Sequence, residues 1–171
     1  KEFKAFGREN RDTFIEFTNS EDVGTKYLKK DGRLFVYSPD TEQVMPISGH
    51  MLKESMMGSD LSYEDTIENE GLAKRYVPTI SGSDSFDGRE VWVLDLAAIK
   101  KTESYPRQRL LVAKDTLDVL HYDLFALSGA RLKEYNLIRV EPIGARRFPV
   151  ESEMRDLLRK GSRTLFRLGN V

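Results

Sequence analysis

The chain has 171 residues, 39% of them hydrophobic and 32% charged, with a formal net charge of −1. That length can bury one domain-sized core, the composition excludes a disordered chain, and no apolar run approaches the roughly 20 residues of a membrane-spanning helix. The absence of cysteine excludes disulfides, thiolate metal sites and thiol nucleophiles, and the near-neutral charge gives no global attraction to nucleic acid.

The sequence opens at Lys1 directly into strand-like residues with no signal peptide, so it reads as a trimmed or mature fragment. Residues 11–18 alternate as a strand with Thr13, Ile15 and Phe17 on one face. Residues 25–30 and 33–38 flank Asp31-Gly32, a two-residue hairpin turn whose members both tolerate positive φ. Residues 73–81 and 90–97 flank a second such turn, Asp87-Gly88. Residues 119–127 and 131–140 flank a third, Ser128-Gly129-Ala130. Strands over 107–114, 148–156 and 163–168 complete the pattern. Three local hairpins without a long intervening helix predict an antiparallel meander rather than βαβ units.

Residues 48–71 break this rhythm. Residues 50–57 have helix-compatible composition, with Met51, Leu52 and Met56 clustering on one side. Gly58 suits a stop, and a second short helix is predicted over 63–69. Ser59, Asp60 or Ser62 could cap it, and Ser62 with Asp65 three residues on is an imperfect capping box, since Glu or Gln is preferred there. Such an insertion must bury its methionine-rich face, and the concave side of the sheet is the natural place.

Chemistry-bearing patterns are sparse. The only histidines are His50 and His121, and neither has an i, i+4 partner to hold zinc. The run Gly58 to Ser62 lacks the second glycine of a nucleophile elbow. Asp60, Ser62 and Glu64 alternate as calcium ligands can, but the glycine and terminal glutamate of an EF-hand are missing. Gly82 and Gly88 serve turns, with no Lys-Ser/Thr behind them to cradle phosphate. Arg146-Arg147 and Arg159-Lys160 are not interleaved with stacking aromatics. Catalytic residues, metal ligands and cofactor sites are therefore expected to be none, and nucleic acid is not an expected partner. Residues 1–70 hold 15 acidic against 9 basic residues, and 131–171 hold 10 basic against 5 acidic. Two readings fit this asymmetry, solvated strand faces and, second to them, an acidic edge that faces a partner.

What remains is apolar. Ile15 and Phe17, then Trp92, Leu94 and Leu96, then Leu110 and Val112, then Leu120, Tyr122 and Leu124 are expected to share one sheet face. Together with Met51, Leu52, Met56 and Met57 of the cover they form the candidate ligand-binding set. Two readings stay open for them: an ordinary core, or a partly filled cavity. The methionines (Met45 joins the cover's three) favour a cavity, because thioethers repack around variable apolar shapes.

The run Ile47-Ser48-Gly49-His50-Met51-Leu52 and the run Met56-Met57-Gly58-Ser59-Asp60-Leu61-Ser62-Tyr63-Glu64-Asp65 resemble the signature of the outer-membrane lipoprotein-sorting protein family, related to the periplasmic lipoprotein carrier LolA. Gly24-Thr25-Lys26-Tyr27-Leu28, Leu34-Phe35-Val36-Tyr37-Ser38-Pro39, Ser104-Tyr105-Pro106 and Lys160-Gly161-Ser162-Arg163-Thr164 fit the same pattern, so the resemblance spans nearly the whole chain. It implies a mainly β (α+β) fold in one domain over 1–171: a wide curved antiparallel sheet, a half-barrel of about eleven strands, with short helices covering its concave face. The family's opening helix and first strand would lie before Lys1.

The resemblance also implies a bacterial periplasmic address, with or without a lipid anchor, and a non-catalytic role in holding acyl chains of lipoproteins or other lipids. Implied partners are an inner-membrane transporter and an outer-membrane acceptor protein. An unsealed hollow would also favour a dimer that covers it. The motif residues Gly58, Ser59, Asp60, Ser62, Tyr63, Glu64 and Asp65 read as the fold of the cover rather than as ligand contacts. A sensor or adaptor that docks a protein partner through the same fold is the competing reading.

Overall fold

A computed structural model describes residues 1–8, 12–66, 71–144 and 146–169. The chain divides into two compact units, Lys1–Asn69 and Glu70–Val171. Its strands divide likewise into two antiparallel sheets, so the single wide sheet expected from the sequence is hydrogen-bonded as two.

The first unit is a five-stranded meander of β1 (Phe3–Gly7), β2 (Thr13–Phe17), β3 (Lys26–Lys30), β4 (Arg33–Ser38) and β5 (Gln43–Ile47) in sequential order. The β3–β4 turn has Asp31 at φ 50° and Gly32 at φ 72°, the doubly left-handed geometry that matches the twist of the flanking strands. Paired residues of an antiparallel sheet share a face. Ala5, Ile15, Tyr27, Val36 and Met45 therefore form one row, and Thr13, Lys29, Leu34 and Ile47 another on the same side. Phe17, Tyr27, Leu34 and Ile47 are the buried core of this unit. The strand predicted from residue 11 begins at Thr13 among the described residues, and Arg11 lies outside them. β5 was not predicted, because Gln43, Val44, Met45 and Pro46 carry little alternation.

The segment after β5 is not the helix expected over 50–57. It forms two 3-10 turns, Gly49–Lys53 and Met56–Gly58, with extended residues between them. The break has a local cause: Ser55 bridges Ser62 as a one-residue β contact, and Met57 turns left-handed at φ 51°. A single α1 turn, Tyr63–Thr66, follows. The rest of the helix predicted over 63–69 lies outside the described residues.

The second unit opens with α2 (Leu72–Arg75) and continues as a seven-stranded meander: β6 (Tyr76–Phe86), β7 (Arg89–Ala98), β8 (Arg107–Ala113), β9 (Val119–Phe125), β10 (Arg131–Ile143), β11 (Arg146–Asp156) and β12 (Thr164–Arg167). The strand predicted over 73–81 thus begins three residues late, after a helical turn, and runs five residues longer. Asp87 at φ 48° and Gly88 at φ 74° make the β6–β7 turn, and Gly129 at φ 86° the β9–β10 turn, so all three predicted hairpins form.

Candidate functional site

The methionine-bearing cover packs on the five-stranded sheet. Met56 is buried with Phe17, Tyr27, Leu34 and Ile47, and Ile15, Leu52, Met57 and Tyr63 pack around them. Met51 stands apart, exposed. The Tyr27 hydroxyl donates to Met57 Sδ at 3.0 Å and lies 3.2 Å from the Tyr63 hydroxyl. With the Tyr27 proton on sulfur, Tyr63 is left to donate. Burial, then the Tyr63 contact, push the Tyr27 phenol far up, so it stays neutral as this arrangement requires.

The motif residues build the cover's turn. The Ser59 hydroxyl donates to the Met56 carbonyl at 2.7 Å and accepts from Leu61 N–H at 3.3 Å. The Ser55 hydroxyl donates to the Ser59 carbonyl, and Met56 N–H donates to the Leu61 carbonyl at 2.8 Å. Gly58 takes φ 74°, which a side chain would strain. Ser62 N–H donates to Asp65 Oδ2 at 2.7 Å while Asp65 N–H donates to Ser62 Oγ at 3.4 Å, the reciprocal geometry of a capping box. Asp60 is buried to 2% exposure, and Glu64 sits in the first turn of α1.

The second apolar surface is one face of the seven-stranded sheet, and it can be read from register alone. Ile80, Leu94, Leu110, Tyr122, Tyr135 and Met154 stand opposite one another in succession from β6 to β11. This makes an unbroken apolar row across six strands. Tyr122 and Tyr135 stack in it at 4.6 Å between ring centres and 6° between planes. On one side of the row lie Trp92, Val112 and Val119, and on the other Leu96 and Leu124. Ile80 is 64% exposed and Trp92 38%, while Leu96 and Leu110 are buried with Tyr76. The face is therefore filled at one end and open at the other.

The opposite face carries a polar row beside the buried cluster of Val91, Ala113 and Leu120. Thr79, Asp95, Arg109, Asp123, Glu134 and Arg155 form its matching row, tied by Arg109–Asp95 at 2.8 Å, Arg131–Asp123 at 3.1 Å and Arg155–Glu153 at 2.7 Å. The Arg109 guanidinium holds the Asp95 carboxyl below the usual carboxylate range. His121 lies on this face between Asn136, 2.8 Å from Nδ1, and Asp123, 3.3 Å from Nε2. That environment positions the ring structurally. An open cleft of about 270 Å³ occurs around Leu120, Leu137 and Val140 beside Arg89 and Arg147. Both arginines are engaged by Asp115 and Asp118.

The predicted binding residues thus fall in two places. Ile15, Phe17, Leu52, Met56 and Met57 meet in the first unit. Trp92, Leu94, Leu96, Leu110, Val112, Tyr122 and Leu124 share the apolar face of the second. Leu120 does not. The register slips between Leu111 and Val112, leaving Leu120 as the extra residue, and it packs with Val91 and Ala113 instead. A bulge puts two successive side chains on one side, which simple alternation does not anticipate. Conversely, Ile80, Tyr135 and Met154 complete the row unpredicted, and only the pairing of strands reveals them. Among the described residues no cluster of three or more His, Asp or Glu could hold a metal ion, and no helix is long and apolar enough to cross a membrane.

Comparison with known proteins places this architecture. A family model described as an uncharacterized protein matches residues 9–171, while a search of curated proteins finds no match. The crystal structure of a DUF1329 family protein from Desulfovibrio piger superposes with a TM-score of 0.82 at 30% identity, covering 95% of this chain and 72% of that one. A domain assigned as an outer membrane lipoprotein-sorting protein from Vibrio parahaemolyticus gives 0.80 at 19% identity, and a LolA superfamily protein from Nitrosomonas europaea gives 0.75 at 20%. Each again covers 95% of this chain and 72% of the other. The last two likenesses establish the fold. The first, with 30% identity over 72% of the relative's length, shows that this mainly β, LolA-like chain is a member of the DUF1329 family.

Proposed function

We propose that this chain binds acyl chains, of lipoproteins or of other lipids, on the apolar face of its seven-stranded sheet, and serves their sorting toward the outer membrane without catalysing a reaction. The observation that carries the reading is the row from Ile80 to Met154. An apolar stripe six strands wide, partly exposed and backed by a row of ion pairs, is what a sheet needs to hold an extended hydrocarbon. Each methylene moved from water onto such a face contributes about 0.8 kcal/mol. The LolA-like fold supports the same reading, since the Vibrio neighbour is assigned to lipoprotein sorting.

In this reading the protein works in the bacterial periplasm as one domain. A transporter on the inner membrane donates the cargo and an acceptor at the outer membrane receives it. The methionine-bearing cover is an adaptable element, since thioethers exchange apolar contacts at little cost. Organic extraction of the purified protein followed by mass spectrometry tests the binding. Acylated molecules are expected from the wild type and lost from Leu94→Asp, with the β-sheet circular dichroism unchanged. A wild type that neither carries nor takes up acylated molecules overturns the proposal.

A further inference from the structure

The apolar face of the seven-stranded sheet is not wholly apolar. The row beside Ile80–Met154 runs Pro78, Leu96, Gln108, Leu124, Lys133 and Asp156 in register. Two of its polar side chains are buried, Gln108 at 8% exposure and Lys133 at 7%. They flank Leu124, directly alongside the stacked Tyr122 and Tyr135.

A lysine ammonium is costly to bury and is retained where something balances it. Here the Tyr105 ring centre lies 5.9 Å from Lys133 Nζ, and Asp156 is the residue opposite Lys133 in register. Apolar sites take their orientation and selectivity from a few such polar groups.

We propose that Lys133, seconded by the Gln108 amide, receives the carboxylate end of an acyl ligand whose chain lies along the Ile80–Met154 row, so that free fatty carboxylates are preferred over neutral esters. The proposal rests on the acyl-binding reading of this face and adds the chemistry of the ligand's head. An ammonium and an amide both donate, and a carboxylate accepts from both. Asp156 is a carboxylate on the strand opposite Lys133 in register, so removing its negative charge should strengthen the preference. Its Oδ1 also accepts from Leu158 N–H at 2.9 Å, a contact the asparagine amide oxygen retains.

The test compares palmitate with palmitic acid methyl ester as probes, binding each to the full chain by titration. The wild type is expected to bind palmitate about tenfold more tightly, the size of one charge-assisted hydrogen bond. Lys133→Met should erase that preference, bringing the palmitate and ester affinities to within about twofold of each other, and Asp156→Asn should widen it. Lys133→Arg, which keeps the charge, should hold the preference and serves if the methionine variant fails to fold. Equal binding of both probes by the wild type, or a preference that survives Lys133→Met, overturns head recognition and leaves acyl binding standing. Failure of the wild type to bind either probe overturns both.

Discussion

Leu117 sits at the β8–β9 turn with φ 59° and 70% exposure, a left-handed backbone paired with a side chain that contributes little burial. Leu117→Gly should raise stability by about 0.5 kcal/mol, the relief of left-handed strain less the added unfolded-state freedom, and thermal melting checks it. Next to it, Asp118 accepts from Arg147 Nη2 at 2.8 Å and from the Thr116 hydroxyl at 2.7 Å. The Arg147 guanidinium first, and Thr116 second among the lowering contacts, hold its carboxyl below the usual range. A depressed carboxyl stabilises the fold above the ordinary aspartate range and loses that contribution as pH falls through the depressed value. Wild-type melting temperature should therefore drop below about pH 4. Asp118→Asn should melt lower than wild type at neutral pH, and the two curves should converge in acid. Curves that stay parallel would exclude this pair from acid stability.

At the scale of elements, the cover illustrates what a sequence discloses and what it withholds. The Ser62–Asp65 cap was legible because its chemistry is local, three residues apart. Ser62→Ala should cost about 1 kcal/mol, and Asp65→Ala added to it should cost less than its separate effect, since the two share one motif. Met56→Ala should cost roughly 2–5 kcal/mol through the cavity left among Phe17, Tyr27 and Leu34. Urea unfolding measures all three.

The helix expected over 50–57 failed because composition is silent on the Ser55–Ser62 bridge, which holds Ser55 extended where a helix would need it coiled. The three hairpin turns were legible for the same reason as the cap, since Asp-Gly and Gly-bearing turns fix φ locally. β5 was not, because Pro46 and the weak alternation around it conceal an edge strand. The bulge that moves Leu120 to the other face of β9 was equally invisible, since no residue type there demands it.

Across the whole molecule, the apolar surfaces came out of alternation within single strands, but their division between two sheets did not. Rows such as Ile80–Met154 exist only once register is known, and register is a property of pairs of strands. That row also supplies its own reporter. Trp92 is the only tryptophan in the chain, lies on the same face, and has Lys114 Nζ 4.5 Å from its ring centre. Adding palmitate should move its emission to shorter wavelength as water leaves the ring. Leu94→Asp should abolish the shift, and an emission maximum that stays fixed at saturating palmitate would count against acyl occupancy of this face.

The direction of the row sets a length. Neighbouring strands stand about 4.8 Å apart, so six of them carry a track of roughly 24 Å measured across the chains. A single leaflet of bilayer hydrocarbon is only about 15 Å deep, half of the roughly 30 Å core. On the acyl-binding proposal, a tail drawn whole from one leaflet is shorter than this track, and the width of the sheet, counted in strands, acts as a ruler for the tail it would shelter.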